Sequence, residues 1–227
     1  MYLRSEKTLG KVPEVTLWFW IIKIAATTLG ETAGDSVTMS MHLGYLVGTI
    51  IFATVFVVAV IAQIVAKRFH PFLFWFVIVA TTTVGTTLAD LLDRTLGIGY
   101  LGGTSIMFAL VIATLVLWRW SLGSVSIDSI KTRKAEIFYW VTILFSQTLG
   151  TALGDWMADA KRGGLDLGYE VGAIVFAVGL ALVAAAYFWT KVSHAILFWA
   201  AFIIACIVFS PQRAEKIKVD PSPQPRA

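Results

Sequence analysis

Long apolar stretches, separated by short polar or basic segments, run along almost the whole chain. Most are close to the roughly 20 apolar residues that a helix needs to cross a bilayer. They predict membrane spans at about 15–35, 43–66, 71–92, 98–118, 136–157, 168–190 and 194–210. The pattern therefore predicts an all-α integral membrane protein, a bundle of about seven transmembrane helices that forms a single domain at 1–210. The polar, proline-containing stretch 211–227 is typical of a disordered tail.

The last apolar stretch is the shortest of the seven. Ala195 to Phe209 is unbroken, but as a helix it covers only about 22 Å of a hydrocarbon core that is ~30 Å thick. A seventh crossing therefore requires the residues before it to reach the interface by snorkelling. A segment that is inserted only halfway is the alternative.

Composition excludes a soluble protein, and charge predicts an orientation. The chain is 58% hydrophobic and 14% charged, with a mean hydropathy of +0.79. Its net charge of +4 comes from basic residues that cluster between apolar stretches, which is typical of membrane topology and indicates a lipid bilayer, not a nucleic acid, as the partner.

Basic residues are distributed unequally between the two sides of the predicted bundle. With the N-terminus inside, the cytoplasmic set is Arg4, Lys7, Lys11, Lys67, Arg68, Arg119, Lys131, Arg133, Lys134 and Lys191. The opposite loops contain Arg94, Lys161 and Arg162. Because cytoplasmic loops carry the excess of Lys and Arg, we expect a multi-pass protein of the bacterial cell (inner) membrane with a cytoplasmic N-terminus.

A short acidic motif occurs three times, at 27–35, 82–90 and 147–155. In each copy a glycine precedes an aspartate by five residues, and Gly-Tyr-x-x-Gly follows at 44–48, 99–103 and 168–172. Each unit is a helix, an acidic turn and a second helix, which predicts repeats at about 15–66, 71–118 and 136–190, and a partial fourth at 194–210. Since every unit crosses the membrane twice, the repeats are parallel and all acidic turns face one side, the non-cytoplasmic side in the predicted orientation.

The fourth unit lacks the acidic motif. Trp199 corresponds to Trp20, Trp75 and Trp140, which each lie ten residues before a motif glycine. Phe209 replaces the fourth glycine and Ala214 replaces the fourth aspartate. Any site that the repeats build must therefore use three turns.

Carboxylates near membrane-spanning segments are costly and are often functional. We predict a divalent-cation site formed by Glu31, Asp35, Asp90 and Asp155. The predicted supporting residues are Thr32, Thr86, Thr151, Asp93, Asp159 and Lys23. These oxygen donors suit Mg²⁺, Ca²⁺ or Mn²⁺ better than Cu⁺ or Zn²⁺, which favour sulfur and imidazole ligands.

The function predicted from this site is secondary transport of a divalent cation, Mn²⁺ or similar, with export favoured. Lys23 lies within the first span, where it could compete with the cation in a proton-coupled cycle, or snorkel to the interface, or pair with a carboxylate. A coupling proton is therefore a second expected partner.

Two other interpretations remain open at the level of sequence. The aspartates could cap helices in a non-catalytic membrane scaffold or partner subunit. A membrane-embedded enzyme is less favoured, because His42, His70 and His194 are scattered and no nucleophile elbow, His-Glu-x-x-His motif or P-loop occurs. We predict no catalytic residue and no cofactor, and the single Cys206 allows no internal disulfide.

The motifs resemble those of a bacterial membrane protein family built from a repeat of unknown function, usually present in four copies. The resemblance lies in Gly-Glu-Thr-Ala-Gly-Asp, Gly-Thr-Thr-Leu-Ala-Asp and Gly-Thr-Ala-Leu-Gly-Asp-Trp, and in the Gly-Tyr that follows each, and covers roughly 15–200. It implies a compact helical bundle of four two-helix units. This chain departs from the pattern at Phe209 and Ala214.

Overall fold

A computed structural model describes residues 11–207 and contains seven α-helices in that range. They are α1 (Leu17–Asp35), α2 (Gly44–Val65), α3 (Pro71–Asp90), α4 (Gly99–Leu122), α5 (Arg133–Ala158), α6 (Gly168–Trp189) and α7 (His194–Ile204). The predicted all-α fold is confirmed, and residues 11–207 contain no strand. The predicted tail at 211–227, with Phe209 and Ala214, lies outside the described residues.

Five helices, α2 to α6, are long and apolar enough to cross a membrane, as expected for a multi-pass membrane protein. α1 has sufficient length but is less apolar, because Lys23, Glu31 and Asp35 lie on it. α7 has 11 residues and is thus about 16 Å long, roughly half of a hydrocarbon core. The half-inserted alternative stays a prediction, because the segment 194–210 extends past the described residues.

The helices form an inner and an outer set. In their most apolar windows, 67% of α3 and α5 is buried, against 22%, 28% and 6% of α2, α4 and α6. The inner set is α1, α3, α5 and α7. α2 and α4 each pack mainly on the inner helix that follows in the chain, whereas α6 packs on both α5 and α7. Since apolar side chains face outward along the outer set, we assign that surface to lipid.

Each motif glycine marks a close approach between consecutive inner helices. A methyl group at Gly30, Gly85 or Gly150 would lie 2.7, 3.0 and 2.5 Å, respectively, from the Cβ atoms of Thr82, Gln147 and Cys206. These three partners occupy the same position of successive units, three residues before the motif glycine or its replacement. The repeats are therefore parallel and in register.

An aromatic layer, defined here as four ring pairs, closes the inner helices into a ring. The pairs are Phe19–Trp75, Phe74–Trp140, Tyr139–Trp199 and Phe198–Trp20, with ring centroids 5.5, 5.5, 6.1 and 6.0 Å apart. Each pair joins one unit to the next, and the last joins the partial fourth unit back to the first. The fourth unit is therefore a structural member of the ring.

Among residues 11–207, no outer helix packs along α1 as α2 packs along α3. Ile22 and Leu29 on α1 are consequently 40% and 59% exposed. The equivalent Val77 and Val84 on α3 are 0% and 3% exposed. A complete fourth unit would place its second helix on this stripe of α1.

The turns between the paired helices explain the glycine of each Gly-Tyr motif. The first residues of α2, α4 and α6 are Gly44, Gly99 and Gly168, with φ of 75°, 77° and 72°. This left-handed conformation is strained for residues that carry a Cβ atom, so glycine is favoured where each second helix begins.

Candidate functional site

A column of polar side chains runs along the buried face of α1. Lys23, Thr27, Glu31 and Asp35 are spaced four residues apart, and their exposed fractions are 0%, 2%, 4% and 1%. Residues at this spacing lie on one face of a helix. This polar face would be unfavourable on a helix surrounded only by lipid, because the bilayer provides no partner for charged side chains.

α3 and α5 contribute equivalent columns at the same levels. Thr82, Thr86 and Asp90 on α3 are at most 3% exposed, and Gln147, Thr151 and Asp155 on α5 are at most 7% exposed. We call the combined set the polar column. Its ten members are Lys23, Thr27, Glu31, Asp35, Thr82, Thr86, Asp90, Gln147, Thr151 and Asp155.

Hydrogen bonds connect the column between helices. The Nε2 atom of Gln147 donates to Oγ1 of Thr82 over 2.5 Å. One turn further along, the hydroxyl oxygens of Thr86 and Thr151 lie 3.3 Å apart. Buried polar groups are stable only when they are paired, so these contacts hold α3 and α5 in register.

The acidic end of the polar column is organised by Arg94. Its Nε lies 2.8 Å from Oδ1 of Asp90, and its Nη2 lies 3.2 Å from Oδ2 of Asp155. All three side chains are at most 4% exposed. Arg94 lies on the π-helical turn Leu91–Thr95 that follows α3, which places its side chain beside Asp90.

A tyrosine of the Gly-Tyr motif belongs to the same cluster. The hydroxyl of Tyr100 donates a hydrogen bond of 2.7 Å to Oδ2 of Asp159, and the ring centroid lies 6.0 Å from Cζ of Arg94. Tyr100 is fully buried and Asp159 is 4% exposed. Sequence reasoning missed both Arg94 and Tyr100, because only the fold places them beside aspartates of the third unit.

Asp35, unlike Asp90 and Asp155, forms no ion pair among the described residues. It is 1% exposed, and its Oδ1 has no hydrogen-bond partner among residues 11–207.

The motif aspartates do not act as helix caps. Asp35 does not cap the π-helical turn Ser36–Ser40 that follows it, and Asp90 does not cap its own following turn either. Asp155 lies in the last turn of α5, where it has no free N–H groups of its own helix to cap. The helix-capping interpretation therefore fits none of the three.

The predicted metal ligands fall into two groups in this structure. Asp90 and Asp155 meet at Arg94, whereas Glu31 and Asp35 lie along α1. Within residues 11–207 no three Asp, Glu, His or Cys side chains are close enough together to hold a metal ion. The metal site remains a prediction.

The predicted supporting residues also separate. Thr86 and Thr151 line the polar column, whereas Thr32 is half-buried beside it. Asp93 is 1% exposed and packs against Gly103, where even a methyl group would overlap its carboxylate. The trailing glycine of the second unit thus makes room for a buried acid.

A protein-family model matches each of the three units. The family described as Repeat of Unknown Function (DUF347) matches residues 18–69, 73–123 and 138–193. The chain belongs to this family. No curated protein and no solved structure matches it. The matched ranges of this DUF347 member confirm the internal repeat, and its partial fourth unit begins where the third match ends.

Lys23 of this DUF347 protein is a charged residue that lies inside the bundle. It is fully buried, so it does not snorkel. Its Nζ donates to Oγ1 of Thr27 at 2.7 Å and to Oε1 of Gln147 at 3.4 Å, and lies 3.5 Å from Sγ of Cys206. The Phe202 ring centroid is 4.6 Å away. No described carboxylate lies within ion-pair distance of Lys23, so the expected pairing with an acid is not seen among residues 11–207.

Proposed function

We propose that this protein is a secondary transporter of a divalent cation, Mn²⁺ or similar, and that the cation binds carboxylates of the polar column. The observation that carries this proposal is the buried Asp35, one of whose carboxylate oxygens lacks a hydrogen-bond donor in the described part of the chain. A buried carboxylate oxygen is costly without a donor or a cation. Glu31, one turn away on the same face, supplies a second hard ligand.

Charge along the polar column supports a cation as the substrate. The four carboxylates of Glu31, Asp35, Asp90 and Asp155 carry four formal negative charges, whereas Lys23 and the neighbouring Arg94 carry at most two positive ones. This excess of buried negative charge favours a cation in the low-dielectric interior, and it is larger when Lys23 is neutral.

Arg94 acts as an internal competitor for the substrate in this proposal. Its guanidinium bridges Asp90 and Asp155, the two motif aspartates that a metal ion would need in addition to Asp35. A cation entering the column displaces Arg94 from one or both carboxylates, and Arg94 returns when the cation leaves. Such an exchange gives the buried carboxylates of Asp90 and Asp155 a positive partner at every stage of the cycle.

We further propose that the protein lies in the cell (inner) membrane with its N-terminus in the cytoplasm. The excess of basic residues on that side supports this orientation. The acidic end of the polar column then faces away from the cytoplasm. We expect no enzymatic activity.

Purified full-length protein tests the proposal in a thermal-unfolding screen against Mn²⁺, Mg²⁺, Ca²⁺ and Zn²⁺. A ligand that binds only the native state raises its apparent stability, by about 2.7 kcal/mol at one hundred times Kd. We expect a selective response that is lost in Asp35→Asn. Asp128→Asn is the matched control, because Asp128 is an exposed aspartate on a surface turn.

Transport is measured with the same variants in cells and in proteoliposomes. Asp35→Asn, Asp90→Asn and Asp155→Asn should each abolish metal resistance or uptake at unchanged protein abundance. Normal transport by all three would contradict the proposal and favour a membrane scaffold.

A further inference from the structure

Lys23 lies at the end of the polar column that is nearest to the aromatic layer, and Arg94 lies at the opposite, acidic end. Its equivalents in the other units are Ile78, Ile143 and Phe202, which are all fully buried and apolar. The repeat therefore does not require a cation at this level, and Lys23 is a feature of the first unit alone. Beyond it lies the aromatic layer, which closes the ring.

The groups that face Lys23 carry no fixed charge, and one of them, a thiol, can be titrated. α1 contributes Thr27, α5 contributes Gln147, and α7 contributes Phe202 and the titratable Cys206. No Asp or Glu among residues 11–207 lies within 4.0 Å of the amine. The hydroxyl and amide oxygens accept hydrogen bonds from an amine and from an ammonium alike, so this enclosure accommodates both forms.

Electrostatics links this amine to a cation in the polar column. Eight residues of α1 separate Lys23 from Glu31, a rise of about 12 Å. At an effective dielectric constant of about 20, the repulsion between an ammonium and a divalent cation over that distance changes an equilibrium roughly a hundredfold. Because the two positive charges share one buried column, occupancy by the cation and protonation of Lys23 oppose each other.

We propose that Lys23 carries the proton that this protein exchanges for its cation. When the cation binds the carboxylates, one N–H bond of the Lys23 ammonium breaks, the proton passes to water, and the electron pair stays on a neutral amine. When the cation leaves, the amine takes up a proton from water. The two steps make the protein an antiporter that moves a proton one way and a cation the other. This inference rests on the proposed transport of a cation.

The experiment uses full-length protein in proteoliposomes with Mn²⁺ as the probe and a pH-sensitive dye inside the vesicles. Wild-type protein should move protons against Mn²⁺, and its Mn²⁺ affinity should rise up to about a hundredfold as pH increases from about 6 to about 9. Lys23→Met should retain Mn²⁺ binding and Mn²⁺/Mn²⁺ exchange, but its affinity should lose this pH dependence and its Mn²⁺ flux should move no protons.

Lys23→Arg is the second variant, because guanidinium keeps its charge at every accessible pH. It should bind Mn²⁺ weakly and independently of pH, and it tests the inference even if Lys23→Met fails to fold. Lys131→Met, which removes an exposed lysine, should behave as wild type.

Two outcomes distinguish this inference from the proposed function. Proton-coupled Mn²⁺ transport by Lys23→Met or Lys23→Arg would overturn the role of Lys23 and leave cation transport standing. A wild-type protein that neither binds nor transports any of the four cations would refute cation transport itself.

Discussion

The two ends of the inner helix ring differ in both completeness and chemistry. At the aromatic layer all four units contribute, and Phe198 of the short α7 closes the ring onto Trp20. At the acidic end three units contribute, and Arg94 joins only two of them through Asp90 and Asp155. A closed apolar layer stabilises a fold, whereas an open layer of buried charges costs stability and is retained where it has a use. The repeat therefore separates a structural end of the bundle from a candidate functional end.

The largest expected effect is at the aromatic layer. Phe74 is fully buried between Trp75 and Trp140, so Phe74→Ala should lower the free energy of unfolding by about 4 kcal/mol, through lost burial and a cavity. Thermal unfolding in detergent measures this loss. The increment in stability that Mn²⁺ provides should be unchanged. A lost metal response in folded Phe74→Ala would contradict the separation of the two ends.

The next effect concerns Arg94. Arg94→Met leaves two carboxylates buried without their counter-charge and should cost at least about 3 kcal/mol in the absence of metal. If Arg94 competes with the cation, the same variant should gain more stability from Mn²⁺ than wild type does. Parallel unfolding curves with and without Mn²⁺ measure both quantities.

A control separates competition from a general loss of packing. Arg119→Met removes another arginine, which lies in the last turn of α4 and far in sequence from the acidic turns. Its metal increment should match that of wild type. An equal or smaller Mn²⁺ increment in Arg94→Met would show that Arg94 is not a competitor.

A substitution at the contact between the third and fourth units should cost less stability than the two changes above. A methyl group at Gly150 would lie 2.5 Å from Cβ of Cys206, so Gly150→Ala should cost about 1–3 kcal/mol as α7 moves away. Gly34→Ala is the matched control, because its methyl group would approach no atom closer than 3.4 Å. Equal unfolding midpoints for the two variants would argue against close docking of the partial fourth unit.

The smallest effect is a single hydrogen bond at the acidic end. Tyr100→Phe removes the donor to Asp159 and should cost about 1–2 kcal/mol, since the acceptor is a buried carboxylate. Tyr187→Phe, on the half-exposed Tyr187 of α6, should be neutral within about 0.5 kcal/mol. Thermal unfolding of the two variants side by side tests whether Tyr100 contributes to the acidic end.

Much of the fold was predictable from sequence, and so was the part of the polar column that lies on α1. The spacing of Lys23, Thr27, Glu31 and Asp35 places polar residues on one face of a single helix. Reading the full series, not only Glu31 and Asp35, would have located the buried face of α1. The extent of α7 was harder to predict, because Ala195 to Phe209 is uniformly apolar and contains no stop signal before Ile204.

The helices, the parallel repeat and the end of the bundle at which the aspartates lie all follow from the sequence alone. Backbone groups in a bilayer must be satisfied within each segment, so apolar length alone predicts a helix, and a repeated motif copies its place in the unit. Three contacts are seen only in the folded bundle: Arg94 bridges Asp90 and Asp155, Tyr100 binds Asp159, and the fourth unit closes the ring at Phe198. These contacts join different units, and their partners depend on how the helices rotate and dock, which local spacing does not encode.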